Sequence, residues 1–450
     1  MNVKFKTIFF WVIIVLLSLG VLASLFYAEE DWRGKRAWEN CKRELETKGE
    51  VLDWNAYVPP PMVRDDQNFF KAPKMAEWFV KNSQSLTNEL AERLRNADTT
   101  ATITNEIAAT KYLIWSDQFQ PDFKLIRDAL KRPYMRMDGD YSQTFTMPIP
   151  NFVTVRAVSQ TLAQRAKCYL LLDQPEKALN ELTLLNDSRR LLEAAPTGKP
   201  MTLVAAMINV AVTGLYTETI ANGLQKRAWQ EPQLAVIEKQ LEQINLIPFV
   251  IEAIREERAG HCHFIETDAI AKIKDVKHPN MIRGWFYQNL VTIARLNQEA
   301  IDSVDFTNNL ILPERANDVQ REQNAIEKPG FFRPYTFFAA IAVPSFTKAF
   351  QTLARNQTMV NEAQIACALE RYHLAHGEYP DTLDMLVPQF IEKLPHDIIG
   401  GDSLIYHSTV DGKFLLYSVG WNEKDDGGIE SPQNKNGGTD YTRGDWVWKN

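Results

Sequence analysis

The 450-residue chain is poor in cysteine, and its four, Cys41, Cys168, Cys262 and Cys367, form no CxxC pair. A zinc ribbon or a thioredoxin-like redox motif is therefore unsupported, and spacing alone leaves disulfide pairing open. There is no low-complexity tract, and no segment gathers lysine and arginine into the stripe that phosphate binding needs. The net charge of −7 is instead spread along the chain, which argues against nucleic acid as the main partner. Catalytic signatures are missing too: no GxSxG, no phosphate-binding glycine loop, no HExxH and no nucleophilic cysteine paired with a nearby histidine. Dispersed residues can still converge in a fold. Nothing local announces an enzyme or a small-molecule substrate, and neither is expected.

What the chain does have, first, is a long apolar run near its start. TIFFWVIIVLLSLGVLASLFYA, residues 7–28, holds 22 uncharged residues. At about 1.5 Å per residue, that spans the roughly 30 Å hydrocarbon layer of a bilayer. Lys4 and Lys6 precede the run, and Glu29, Glu30 and Asp31 follow it. The positive-inside rule then places the short N-terminal end in the cytoplasm and the bulk outside. A cleaved signal peptide is the rival reading, since residues 21–23 are small enough for a signal peptidase; the run is longer than such a segment needs. The expectation is a single-pass anchor with the bulk exported; with the bacterial origin that the resemblance described below implies, this is the inner membrane with the bulk in the periplasm, where a protein partner is expected.

Length suggests two or three domains. Residues 1–28 read as the anchor, and 29–74 as a juxtamembrane helix followed by a proline-rich segment. In the latter, Pro59, Pro60 and Pro61 forbid helix and favour extended chain. Residues 75–345 read as a helical domain, with apolar residues recurring at three- and four-residue steps. Within it, AKCYLLLDQPEKALNELTLL (166–185) resembles one tetratricopeptide-type hairpin, with Ala166, Tyr169, Ala178 and Leu182 at its packing positions. No second copy follows at the period of about 34 residues, so the likeness to a repeat array is weak. MTLVAAMINVAVTGLYT (201–217) is uncharged but short and contains Asn209, which predicts a buried central helix and not a second span.

Residues 346–450 read as a small α+β module. Residues 361–376 have Ile365, Ala368, Leu369 and Tyr372 on one helical face, and Gly377 stands at the left-handed C-cap position. Residues 403–408 and 413–420 look like two strands joined through Asp411 and Gly412, and the final Trp446-Val447-Trp448 supplies a third. The fold class expected is mainly α, with a short antiparallel sheet at the C-terminal end.

ALERYHLAHGEYPDTLDMLVP, then LPHD, the hairpin, LLYSVGWNEKDDGG and GDWVW resemble the C-terminal domain of the major pseudopilin of type II secretion. The likeness covers residues 363–448 or so. The remainder resembles an uncharacterised group of membrane-anchored helical bacterial proteins, through VLDWNAYVPPPMVRDDQNF. In the pseudopilin the acidic loop after the strand binds calcium. The resemblance therefore implies a Ca²⁺ site made of the Val419 carbonyl and the side chains of Asn422, Asp425, Asp426 and Asp445, with Asp440 able to replace one of them. Elementary chemistry agrees. Ca²⁺ takes six to eight oxygen ligands in irregular loops, a divalent charge makes adjacent carboxylates favourable, and Gly427 and Gly428 let the backbone curl. The family usually has Asp where this chain has Asn422, and the loop here is longer. MNVKFKTIFFW carries no prepilin-peptidase site, so what the resemblance implies is fold and calcium, with an accessory role in a secretion or pilus-like system as an alternative.

EERAGHCHFIETD (256–268) is the best place for an enzyme, the other alternative. Glu257 and His261 are four apart and His263 is near, a spacing compatible with a metal triad, but Gly260 is expected to interrupt the helix.

Overall fold

The computed structural model describes residues 3–59, 63–81, 88–95, 103–142, 144, 146–193, 202–267, 283–327, 333–409, 412–434 and 438–448. Pro60, Pro61 and Asp411, which carried the expectations of extended chain and a hairpin loop, lie outside them. The protein is mainly helical, with an apolar N-terminal helix and a small antiparallel sheet near its C-terminal end.

Helix α1, Val3–Thr47, is a single helix of 45 residues with two characters. From Ile8 to Tyr27 its large apolar side chains stand in the open, Leu17 being 66% exposed. Past Glu30, Trp38, Cys41 and Leu45 are buried, and their spacing of three and four places them on one face. Shorter helices follow, α2 (Met75–Phe79), α3 (Glu89–Arg95), α4 (Glu106–Ser116) and α5 (Gln120–Ala129). Then come the paired helices α6 (Phe152–Leu171) and α7 (Pro175–Ser188). Asp173 takes a φ of 53° in the turn between them, and Ala166, Ala178 and Leu182 are buried. Helix α8, Leu203–Gln225, is the predicted central helix. It and α1 are the two helices, among the described residues, long and apolar enough to cross a membrane. For α8, 61% of the apolar window is buried inside the protein.

The body is completed by α9 (Glu231–Glu242), α10 (Leu246–Glu266), α11 (Arg283–Ile301), α12 (Pro313–Glu327) and α13 (Phe337–Ala342). Between α11 and α12 a two-stranded ribbon pairs β1 (Val304–Asp305) with β2 (Leu310–Ile311). Helix α11 runs beside the inner half of α1 and in the same direction. Gly284 N–H donates to Asp31 at 2.7 Å near its start, and Arg295 reaches the Cys41 thiol farther on. The close crossing depends on a glycine pair. A Cβ on Gly34 would strike the backbone of Gly284, and one on Gly284 would strike the Glu30 carbonyl. Polar contacts finish the joint: Trp38 Nε1 and Lys42 Nζ both donate to Glu266 at 2.6 and 2.8 Å. Glu50, just past α1, pairs with Arg258 and with Arg255 at 3.1 Å. Burial pushes the Glu50 carboxyl up, but the two guanidinium groups outweigh it and hold the carboxyl below its usual range.

The expected helix at 361–376 begins much earlier, as α14, Phe346–His376. It ends where expected: Gly377 has a φ of 82° and its N–H donates to the His373 carbonyl at 2.8 Å. Helix α14 packs on α8, α9 and α12 as well as on the sheet. One cluster of buried apolar side chains accordingly runs from Trp38 to Trp448. The sheet has the order β3 (Ile405–Ser408), β4 (Phe414–Ser418), β5 (Trp446–Val447), antiparallel throughout. Tyr417 pairs with Ile405 on one side and Val447 on the other. Gly412, with a φ of 73°, precedes β4 as a turn residue should. The tail meets the body at the end away from the apolar half of α1. There, Ile311 N–H donates to the Ile398 carbonyl at 2.8 Å, and Trp421 Nε1 reaches Asn317 Oδ1 at 3.4 Å.

Candidate functional site

The acidic loop leaves β4 through Val419 and returns through Asp445 into β5. Gly420, Gly427, Gly428 and Gly444 all have positive φ, as does Glu423, so the chain coils tightly. Asp445 closes the coil. Its two carboxylate oxygens accept the N–H groups of Asp426 at 3.2 Å and Gly428 at 2.7 Å. Asn422 Nδ2 donates to Asp426 Oδ2 at 2.8 Å. Three of the predicted residues, Asn422, Asp426 and Asp445, are thus joined in one chain of hydrogen bonds. Asp425 turns to Tyr417, whose hydroxyl donates to it at 3.1 Å, while Gly427 N–H donates to the same oxygen at 2.8 Å. Asp440 is engaged elsewhere, accepting from Thr442 Oγ1 at 2.6 Å within its own turn.

Asp445 is 1% exposed, covered by the loop. Burial raises its carboxyl above the ordinary range, the two backbone N–H groups oppose that, and the charges of Asp426 and Asp425 raise it further. Negative charge is therefore crowded around a covered acid. Among the described residues, no group of three or more His, Cys, Asp or Glu side chains is arranged to hold a metal ion. Any ion would have to use the mixed amide, carbonyl and carboxylate oxygens that such a count does not cover.

Two supports of this loop were not singled out in the sequence. Asp397, in the LPHD stretch, accepts the N–H of Ile399 at 3.0 Å and that of Val419 at 3.1 Å, fixing the end of β4. Below the sheet, Glu362 is fully buried and pairs with Arg355 at 3.3 Å. Burial pushes its carboxyl up to about 8 against the pull of Arg355. The Arg355 guanidinium lies 6.0 Å from the Trp446 ring and joins Asp445 in lining a cleft of 140 Å³.

The second place is in the helical body. Helix α10 runs unbroken through Gly260, contrary to the expected interruption. A Cβ there would come within 3.3 Å of the Trp54 ring, so tight packing of Trp54 on the bare backbone offsets the glycine's entropic cost. Beside it is a cavity of 470 Å³, walled by Trp54, Met147, Pro148 and Ile149 and with Glu257 and His261 on its polar side. Glu257 Oε1 accepts the Leu203 N–H at 2.8 Å. Burial pushes its carboxyl up to about 7, partly opposed by that N–H, and lowers the His261 imidazole to about 4, leaving it neutral at neutral pH. His263 is half-buried and is not among the lining residues, so the three residues of the sequence triad do not meet here.

No family model, no curated protein and no solved structure matches the chain. Its chemistry has to be read from geometry alone. The acidic loop can concentrate negative charge around a covered carboxylate. The cavity can hold a small, largely apolar molecule against a carboxyl group that titrates near neutrality.

Proposed function

We propose that this is a membrane-anchored envelope protein that acts by binding, a scaffold whose helical body is carried by α1 and whose terminal module is pseudopilin-like and steadied by calcium. What carries this reading is the continuity of α1. Its outer half is an uninterrupted apolar surface in the open, and its inner half is core, locked by the Gly34–Gly284 crossing and by Glu266. The apolar half thus leaves the body as the direct continuation of a helix fixed in it. The order helix, three-stranded antiparallel sheet and acidic loop closed by an Asp before a Trp supports the pseudopilin-like reading of the tail. Hard oxygen donors crowded about Asp445 suit Ca²⁺, for which Asn422, Asp425, Asp426, Asp445 and the Val419 carbonyl are the residues to hold it. The charge of the ion would offset the mutual repulsion of these carboxylates. An accessory role in a type II secretion or pilus-like assembly is the alternative that the same resemblance offers.

The test is where the chain goes. Expressed at full length with a C-terminal tag in a Gram-negative host, it should stay with the membrane after carbonate washing and dissolve only in detergent. The tag should become protease-sensitive once the outer membrane is opened. A shortened chain in the soluble periplasmic fraction would overturn the reading.

The cavity beside Glu257 favours a second reading, an envelope enzyme. A carboxyl titrating at about 7 next to a neutral imidazole is suited to general acid–base work.

A further inference from the structure

We infer that one face of the helical body, formed by Tyr335, Phe337 and Ile341, lies in the headgroup layer of the bilayer that α1 enters, so that the body rests on the membrane instead of hanging from a stalk. This rests on the reading of α1 as a membrane span, and adds to it a second, peripheral contact.

Helix α13, FFAAIA, is apolar all round, yet only part of it is covered. Ala339 is buried and Phe338 stacks on Phe286 with ring centroids 5.3 Å apart. The Asn289 side-chain oxygen accepts the N–H groups of Phe338 at 2.8 Å and Ala339 at 3.2 Å, which fixes how the short helix is rotated. Phe337 and Ile341, four residues apart, are thereby held outward on one face, 46% and 71% exposed. Two large apolar groups set rigidly in the open call for a partner.

The height of this face relative to the anchor points to lipid as that partner. The Tyr335 hydroxyl donates to Glu30 Oε2 at 2.9 Å and accepts from Arg33 at 2.7 Å, with the guanidinium 5.5 Å from the ring centre. Glu30 is two residues beyond the end of the apolar run, about 3 Å along the helix axis. Each headgroup layer is roughly 5–7 Å deep, so Tyr335 is level with it. Trp32, 62% exposed under the Arg36 guanidinium, is at the same height on α1. Aromatic side chains with a polar tip are the ones that settle at this depth. A cleft of 440 Å³ joins the two contacts, lined by Phe26 from the apolar run and by Trp285, Pro334 and Tyr335 from the body. Through Tyr335 the patch therefore adjoins the surface that α1 presents to acyl chains. Arg33 pairs with Glu30, and Arg333 also lines the cleft, so apolar burial is joined by a basic group near the height of the lipid phosphates, and attachment tolerates neutral lipids.

The four native cysteines are all buried, so an introduced cysteine can be labelled alone. Full-length variants Phe337→Cys and Ile341→Cys, carrying a polarity-sensitive fluorophore, would be reconstituted into phosphatidylcholine vesicles containing nitroxide lipids. Leu22→Cys serves as the control within the anchor, and Ile429→Cys, in the distal tail, as the aqueous one. The inference expects positions 337 and 341 to be quenched by headgroup and shallow acyl nitroxides several-fold more than position 429, and position 22 by deep ones. If 337 and 341 behave like 429 while 22 is quenched, the anchor stands and the peripheral contact is overturned. If 337 and 341 are blue-shifted but unquenched, a protein covers the face and the inference is again overturned. Absence of quenching at 22 would remove the anchor reading itself.

Discussion

At the scale of single residues, two covered carboxyl groups govern how the tail responds to its surroundings. Asp445 is held up by burial and by two neighbouring acids, so a hard divalent cation is the partner that would relieve it. Millimolar Ca²⁺ should therefore raise the melting temperature of the full-length chain by several degrees. Mg²⁺, which demands a tighter octahedral shell, should do much less. Asp445→Asn should abolish the difference; an equal shift in that variant would place the ion elsewhere. Glu362 behaves differently because the pull of Arg355 does not outweigh burial, to which the charge of Asp397 adds. Its folded value of about 8 lies above the ordinary 4.5, so the folded state holds the proton over that window. Stability from the protonated acid is then complete below about 4.5 and is lost as pH rises through 8, at up to about 1.4 kcal/mol per pH unit. Glu362→Gln copies the protonated form. Its melting temperature should match wild type at pH 5 and exceed it by several degrees at pH 8.5, and identical profiles would show that Glu362 stays charged.

At the scale of elements, the joint between α1 and α11 depends on backbone meeting backbone at Gly34 and Gly284. Gly284→Leu should separate the helices and expose Trp38 and Cys41, at a cost on the order of 3 kcal/mol or more. Thiol labelling of Cys41 in native detergent solution reads this directly: slow in wild type, fast in the variant, with equal rates counting against the crossing. Where an element follows from local chemistry, it was legible in the sequence. The apolar run that opens α1, the Gly377 cap, the short strands and the uncharged run of α8 are of this kind. Elements decided by distant contacts were not. The first half of α14 is rich in Thr, Asn and Gln, and it is helical because it packs on α8 and α9. Gly260 keeps its helix because Trp54, some two hundred places away, lies on it. The same division holds for the sites. Asn422, Asp426 and Asp445 were grouped by the resemblance, and hydrogen bonds within one loop join these three. Asp397, the Arg355–Glu362 pair and the wall of the cavity come from separate segments with no shared spacing.

At the scale of the whole molecule, the protein is a helical body mounted on one long rod. The apolar half of α1 leaves it at one end, and the sheet and acidic loop sit at the other. Helix α11, of 19 residues, covers roughly 28 Å of that length. With α1 in a bilayer as proposed, this arrangement would present the tail at a fixed height above the membrane, which a flexible tether would not do. The most direct measurement is a distance across the point where the rod leaves the body. Spin labels at Leu22→Cys and Glu44→Cys, in the full-length chain in vesicles, would report it by double electron–electron resonance. One continuous helix predicts a single narrow peak near 33 Å, from 22 residues at about 1.5 Å each. A broad distribution, or a peak much shorter, would mean that the chain bends at Glu30 and that the anchor is only a leash.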